Sequence, residues 1–211
     1  MKYLKTLLAL ASLFAGLHMP AHAGPTLLVN GSFEADPVLA MGTWNVFTNL
    51  SGWQGDPSAF SGIELRRQNA GTAEDGDYFV ELDTWHNSWM QQQVATTSGQ
   101  HYTLSWWYSP RAGVAAASNP VEVYWNGLLV AGNGGSGIGF NDHQWQLFTV
   151  DVVGSGALDT LKFMAAGTSD GYGGSLDNIA LQAVPEPQSL ALVLAALTLL
   201  GTTALRHRGK R

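Results

Sequence analysis

Tryptophans and carboxylates are the residues of this 211-residue chain that could do chemistry. There are eight tryptophans. A flat aromatic ring can carry the apolar C–H face of a sugar while nearby polar groups bond its hydroxyls. Trp85 is placed for this, in a loop-like stretch beside His86 and Asn87. So is Trp107. In the run His101–Ser109, Tyr102, Leu104 and Trp106 alternate with Thr103, Ser105 and Trp107, and period-two alternation sends Trp107 away from the core. Tyr124 and Glu122 likewise point away from Val121, Val123 and Trp125, and Glu81 points away from Tyr78, Val80 and Leu82. If these runs share a sheet, Trp107, Tyr124, Glu122 and Glu81 line one exposed face. The expected ligand-binding residues are therefore Trp85, His86, Trp107, Tyr124, Glu122 and Glu81. Trp44, Trp53, Trp106, Trp125 and Trp145 sit in strand patterns and read as core.

Covalent and hydrolytic chemistry finds less support. Glu81 with Asp83, and Glu74-Asp75-Asp77, are paired carboxylates. A glycosidase needs two carboxyls about 5–10 Å apart across a cleft, and neighbours in one strand or turn do not supply that. No Gly-x-Ser-x-Gly elbow is present. His86, His101 and His143 lack metal-ligand spacing. With no cysteine in the chain there is no thiol nucleophile, zinc–thiolate site or disulfide. The expectation is a non-catalytic protein.

The elements that must position these residues read as strands. Short runs with β-branched or aromatic residues recur between Gly-, Asn- and Asp-rich turns, and no long 3.6-periodic segment interrupts them. The expected strands are Thr26–Val29, the stretch Met41–Gln54, Ile63–Arg67, Tyr78–Asp83, Trp89–Ala95, His101–Ser109, Val121–Trp125, Leu128–Val130, Gln144–Val153, Thr160–Ala165 and Leu176–Ala183. Asn126-Gly127 is a two-residue hairpin signal. The glycine-rich stretch Gly132–Gly139 has no following lysine or helix pattern, so it is a loop and not a phosphate cradle. This spacing predicts an all-β fold, a jelly-roll β-sandwich over residues 24–183.

Four stretches carry a resemblance. Leu28-Val29-Asn30-Gly31-Ser32-Phe33-Glu34, Gly99-Gln100-His101-Tyr102-Thr103-Leu104-Ser105, the Asn126-Gly127 hairpin and Ser175-Leu176-Asp177-Asn178-Ile179 occur in an order similar to the galactose-binding-like jelly rolls, which include many carbohydrate-binding modules. The resemblance implies terminal strands lying near one another with a structural calcium beside them. It carries that metal to Glu34 and Asp177, with the backbone near Asn30 helping. Calcium takes six to eight oxygens.

Both ends read as targeting segments. Met1–Lys5 is basic, Thr6–Leu17 is apolar and Ala21-His22-Ala23 is a cleavage site, so residues 1–23 form a secretory signal peptide. Residues 184–211 hold Pro185-Glu186-Pro187, an uncharged run from Ser189 to Leu205, and the cluster Arg206-His207-Arg208-Gly209-Lys210-Arg211. That run, as a transmembrane helix 189–205, is roughly 26 Å long at about 1.5 Å per residue, the short end of what spans a core of about 30 Å. Its basic end would stay cytoplasmic. The tail resembles the PEP-CTERM sorting signal of Gram-negative bacteria. The resemblance implies an exosortase-type sorting peptidase as partner, passage through the inner membrane, and delivery to the cell surface or extracellular matrix.

The charge sharpens the choice of partner. Six of the ten Lys and Arg lie in the two ends, as does Glu186 alone of the sixteen acids. Gly24–Val184 keeps four basic and fifteen acidic residues, a net charge of −11. Such a surface repels phosphate backbones and excludes nucleic acid as a natural partner. The expected ligand is extracellular polysaccharide. The alternatives are a structural or adhesive matrix protein without sugar binding and, behind it, a glycan-active enzyme.

Overall fold

The computed structural model describes residues 24–36 and 39–185. The expected signal peptide, the residues Glu186 and Pro187 of the sorting motif, and the helix 189–205 lie outside the described residues. Gly24–Val184 forms a compact unit of its own. Among the described residues there is no helix.

Twelve strands occur: β1 (Thr43–Phe47), β2 (Asn49–Leu50), β3 (Trp53–Gly55), β4 (Ile63–Arg67), β5 (Tyr78–Glu81), β6 (Trp89–Ala95), β7 (His101–Ser109), β8 (Val121–Trp125), β9 (Leu128–Asn133), β10 (Gln146–Val153), β11 (Leu158–Ala165) and β12 (Ser175–Ala183). They make two six-stranded sheets. The front sheet has the order β1-β4-β5-β12-β7-β10 and the back sheet β2-β3-β6-β11-β8-β9. Every described pairing is antiparallel. The chain crosses repeatedly from one sheet to the other, the connectivity expected of a jelly roll.

The alternation read from the sequence decides what lies between the sheets. Tyr102, Leu104, Trp106 and Tyr108 of β7 are buried, and so are Val121, Val123 and Trp125 of β8 and Leu161, Phe163 and Ala165 of β11. Each large apolar side chain fully withdrawn from water contributes about 1.5–3 kcal/mol. Polar handles inside the core are paired: the Trp106 indole donates to Asn133 Oδ1 at 2.8 Å, and the Trp125 indole to the Val153 carbonyl at 3.0 Å.

Three expectations are corrected. Thr26–Val29 is not a strand. It runs as an irregular segment tied to β12 by Leu27 N–H to the Leu181 carbonyl (2.8 Å) and Leu181 N–H to Thr26 Oγ1 (3.1 Å). Met41–Gln54 breaks into β1, β2 and the start of β3: the chain changes sheets at Thr48, and the turn at Gly52 folds β3 back onto β2 within the back sheet. Trp44 is not core. It sits on the edge strand β1 and is 45% exposed.

The first and last motifs of the domain meet. Ile179 N–H donates to the Gly31 carbonyl at 2.9 Å, and a Cβ on Gly31 would run into the Ile179 carbonyl oxygen, so only glycine lets the two backbones approach this closely. Asn30 and Phe33 on either side hold positive φ values of 53° and 62°, and Phe33 is fully buried. The Asn-Gly-Ser-Phe-Glu stretch is thus a compact knot that clips the domain's entry onto β12.

Candidate functional site

The outer side of the front sheet holds an ionic floor. In register, Glu64 of β4 lies opposite Glu81 of β5, and Arg66 lies opposite Trp44 of β1 and Phe79 of β5. Two carboxylates directly opposite repel unless cations enter. Arg66 contacts Glu64 and reaches Glu81 at 3.3 Å, and Arg111 bonds both Glu81 oxygens at 3.0 and 3.1 Å. Gly173 N–H also donates to Glu81, at 2.7 Å. Burial pushes the Glu64 carboxyl up to about 7, outweighing the charge of Arg66, and pushes Glu81 up as well against both guanidiniums.

Above this floor stands a ring of exposed aromatics. Trp85 lies 6.4 Å from Trp44 and 6.2 Å from Phe60, centroid to centroid, in tilted and edge-on arrangements. Trp85 is 54% exposed, Phe60 68% and Tyr172 49%. Arg66 lies over the Trp44 ring at 5.6 Å and Arg111 over Tyr172 at 4.7 Å. A guanidinium stacked in this way fixes the tilt of its ring. Trp44, Glu64, Arg66, Asn69, Trp85 and Tyr172 line a cleft of about 330 Å³. It shares Arg111, Asp170 and Tyr172 with a wider groove of about 800 Å³ that runs on to Phe140 and Asn141. Together they suit an elongated ligand better than a compact one.

Loops carry the rim and side chains set the loops. Asp83 Oδ2 accepts the N–H groups of Asp170 and Gly171 at 3.0 and 3.1 Å, which places Tyr172. Asn87 donates to the Gly167 carbonyl at 2.7 Å and Ser118 to Asp170 Oδ2 at 2.7 Å. Thr84 Oγ1 donates to the Phe60 carbonyl at 3.0 Å, which joins the Phe60 and Trp85 segments. Next to the cleft, His143 is buried against Phe79 and Trp145. Its Nδ1 lies 2.8 Å from the Thr72 carbonyl and its Nε2 3.0 Å from Ser175 Oγ. With both ring nitrogens engaged and Ser175 fully buried, this pair pins the segment covering the front sheet.

The expected single face does not form. Trp107 is on β7 of the front sheet, whereas Tyr124 and Glu122 are on β8 of the back sheet, because β8 pairs with β11 and β9 and never with β7. Tyr124 instead lines a separate trough of about 590 Å³ with Gln91, Thr160 and Lys162, and its hydroxyl donates to Glu122. Trp107 is half-buried. Glu81 does turn away from the core, but it is fully buried beneath the Arg111 loop and is a floor residue, not an exposed one. Trp85 stands on the cleft rim. His86 beside it is exposed and is not among the cleft-lining residues.

Sequence reasoning missed Trp44, Arg66, Arg111 and Tyr172. The sequence held a signal for the two arginines, the scarcity of cations. The domain has only four cations, and all four lie on aromatic rings: Arg66 on Trp44, Arg67 on Tyr78, Arg111 on Tyr172 and Lys162 on Trp89.

Glu34, Asp177 and Asn30, the residues carried over for calcium, are used as backbone staples. Glu34 Oε1 accepts the N–H groups of Asp77 and Tyr78 at 2.8 and 2.7 Å. Asp177 accepts those of Glu74 and Asp75 at 2.8 and 3.0 Å and of Asn178 at 2.6 Å. Asn30 bonds Asp36, the Ser51 carbonyl and Ala35 N–H. Among the described residues no group of three or more His, Asp or Glu is gathered to hold a metal. These staples join the 74–78 turn to both terminal motifs. Chelator tests whether a cation sits among them as well: an unchanged melting temperature would overturn the calcium carry-over. A fall in melting temperature that Glu34→Ala removes would instead establish calcium.

Burial pushes the Asp177 carboxyl up to about 8, against its three N–H donors. A carboxyl raised in the folded state binds a proton that the unfolded chain has lost, so its stabilisation is present at low pH and disappears as pH rises through the folded value. Glu64 acts in the same direction. His143, lowered by burial, opposes them only below its ordinary value of 6.5. Stability is therefore expected to fall between about pH 6.5 and 8, by roughly 1.4 kcal/mol per pH unit for each group still titrating. Urea midpoints across this range measure it, and Asp177→Asn should flatten the slope. A midpoint that rises with pH would contradict the reading.

No family model matches the sequence, and no curated protein does. Solved structures do resemble it. A family 16 carbohydrate-binding module has 18% identity and a TM-score of 0.46, covering 74% of this chain and 98% of that one. The K1 adhesin domain of Lys-gingipain from Porphyromonas gingivalis W83 has 14% identity and a TM-score of 0.49, covering 68% and 98%. TmCBM61, solved in complex with β-1,4-galactotriose, has 15% identity and a TM-score of 0.45, covering 76% and 100%.

Proposed function

We propose that Gly24–Val184 is a non-catalytic glycan-binding domain. The observation that carries this reading is the cleft: three exposed aromatic side chains, Trp44, Trp85 and Tyr172, line it above a floor of buried, mutually paired charges, with Phe60 edge-on against Trp85. The rings supply stacking surfaces for sugar C–H faces, and Asn69, Asp170 and the rim carbonyls supply hydrogen bonds. The floor holds two guanidiniums against two carboxylates, and the domain as a whole is at −11, so the fitting ligand is a neutral polysaccharide. Glu64 and Glu81 face each other in register and are engaged by arginines, which is not the arrangement of an acid and a nucleophile on two sides of a scissile bond.

The targeting segments complete the proposal. A signal peptide over 1–23 exports the chain through the inner membrane, and the Pro185-Glu186-Pro187 tail hands it to an exosortase-type peptidase for surface or matrix delivery. The mass of the mature protein recovered from the cell exterior tests this: a chain lacking both ends supports it, and an intact tail contradicts it. The test of binding is retention of the purified chain on a panel of neutral and acidic glycans. Retention on neutral glycans that free oligosaccharide competes away supports the reading. No retention on any glycan moves the domain to the structural matrix class.

A further inference from the structure

Asp83 and Asn87 form an isolated antiparallel bridge just past β5, so their side chains leave the backbone side by side. Each spends one polar atom on the 167–171 loop. Asp83 Oδ2 accepts the Asp170 and Gly171 N–H groups at 3.0 and 3.1 Å, and Asn87 Nδ2 donates to the Gly167 carbonyl at 2.7 Å. Each has one oxygen left over. Asp83 Oδ1 and Asn87 Oδ1 are both buried acceptors, and neither meets a donor among the described residues.

Buried polar atoms are normally bonded, and buried charges are normally paired. Asp83 is fully buried, yet it makes no ion pair among the described residues. Its neighbour has the wrong sign. Burial pushes the Asp83 carboxyl up against its loop N–H donors, and the Asp170 charge adds to that push. Two oxygens side by side, one of them charged, are thus without a positive partner.

We infer that Asp83 Oδ1 and Asn87 Oδ1 are ligands of a calcium ion held beneath the 167–171 loop. A carboxylate and an amide carbonyl are the hard oxygen donors that calcium takes. The Thr84 carbonyl lies under the same loop, 3.1 Å from where a Cβ on Gly171 would stand, and offers a third oxygen, with water completing the shell. A water alone would satisfy both acceptors but would leave the Asp83 charge unpaired. The net charge of −11 over Gly24–Val184 draws a cation to the domain. This site is separate from Glu34 and Asp177, since its side-chain ligands come from the connection between β5 and β6. The ion would fix the loop that carries Tyr172, but its binding does not depend on the glycan reading.

The test is calorimetric titration of the chelator-stripped full chain, in detergent, with calcium chloride. Binding is expected at about 10⁻⁴–10⁻³ M, the range of extracellular modules. Calcium at about ten times the dissociation constant should raise the melting temperature by about 3 °C or more. Asp83→Asn removes the charge, and its amide can donate to Asn87 Oδ1, so this variant should fold and bind no calcium at the site. Asn87→Ala should weaken binding by about tenfold or more. Glu34→Ala should keep the response, which separates this ion from one at the terminal motifs. A parent chain that binds no calcium overturns the inference, and so does binding that survives Asp83→Asn. Should Asp83→Asn fail to fold, unchanged affinity in Asn87→Ala overturns it instead. Glycan retention that fails both with and without calcium would bear on the cleft and not on the ion.

Discussion

Glu81→Ala is expected to cost about 3–5 kcal/mol of stability, the range found when one partner of a buried ion pair is removed. Glu81 is fully buried and is the one group that both guanidiniums of the floor contact. Without it, Arg111 loses its carboxylate, Arg66 keeps only Glu64, and the Gly173 N–H loses its acceptor. Against a typical domain stability of about 5–15 kcal/mol this is a large fraction. Arg111→Met should cost much less, because Arg111 is partly exposed and the apolar chain still covers Tyr172. Urea unfolding of the three proteins side by side measures the order. A cost below about 1 kcal/mol for Glu81→Ala, within the range of surface pairs, would show that the floor is not the structural centre of the site. Because Glu81 also holds the Gly173 end of the Tyr172 loop, a folded remnant of the variant should bind glycan more weakly.

The sheets were legible in the sequence because alternation is local. The runs on β7 and β8 announce both their strand character and their buried face, and the structure keeps both. What alternation cannot state is which sheet a strand joins. Trp107 and Tyr124 both point outward from their strands, yet they leave the molecule on opposite sheets. Nor can it separate "outward" from "exposed": Phe79, Glu81 and Asp83 turn away from the core and are still fully buried, because the Arg111 loop and the 140–145 segment cover them. Trp44 failed in the opposite sense. Its strand has no neighbour beyond it in the front sheet, so a strand-like pattern yields an open ring. Tyr172, alone among glycines, had no periodic context. Its position depends on Asp83, nearly ninety residues earlier in the chain, accepting two N–H groups of its loop. Trp85 was legible because a bulky aromatic in a polar loop has few uses other than contact.

That ring supports the second large effect. Trp85→Ala is expected to weaken glycan binding by about 30-fold, the equivalent of about 2 kcal/mol for the covered face of one large aromatic side chain. Stability should stay within about 0.5 kcal/mol of the parent, since Trp85 is more than half exposed and makes its contacts with other rim aromatics. Trp44→Ala should weaken binding to a similar degree and also cost some stability, because it uncovers Arg66. The double variant should lose measurable retention. Two controls give the result its meaning. His86→Ala, beside the ring but outside the cleft lining, should bind nearly as the parent does. Tyr124→Ala, in the trough of the opposite sheet, should be silent. If Tyr124→Ala abolishes retention while Trp85→Ala does not, the glycan lies on the back sheet and the aromatic cleft has another use. If all four single variants retain glycan like the parent, ring stacking is not the mode of binding, and the ionic floor would then have to be understood as a purely structural device.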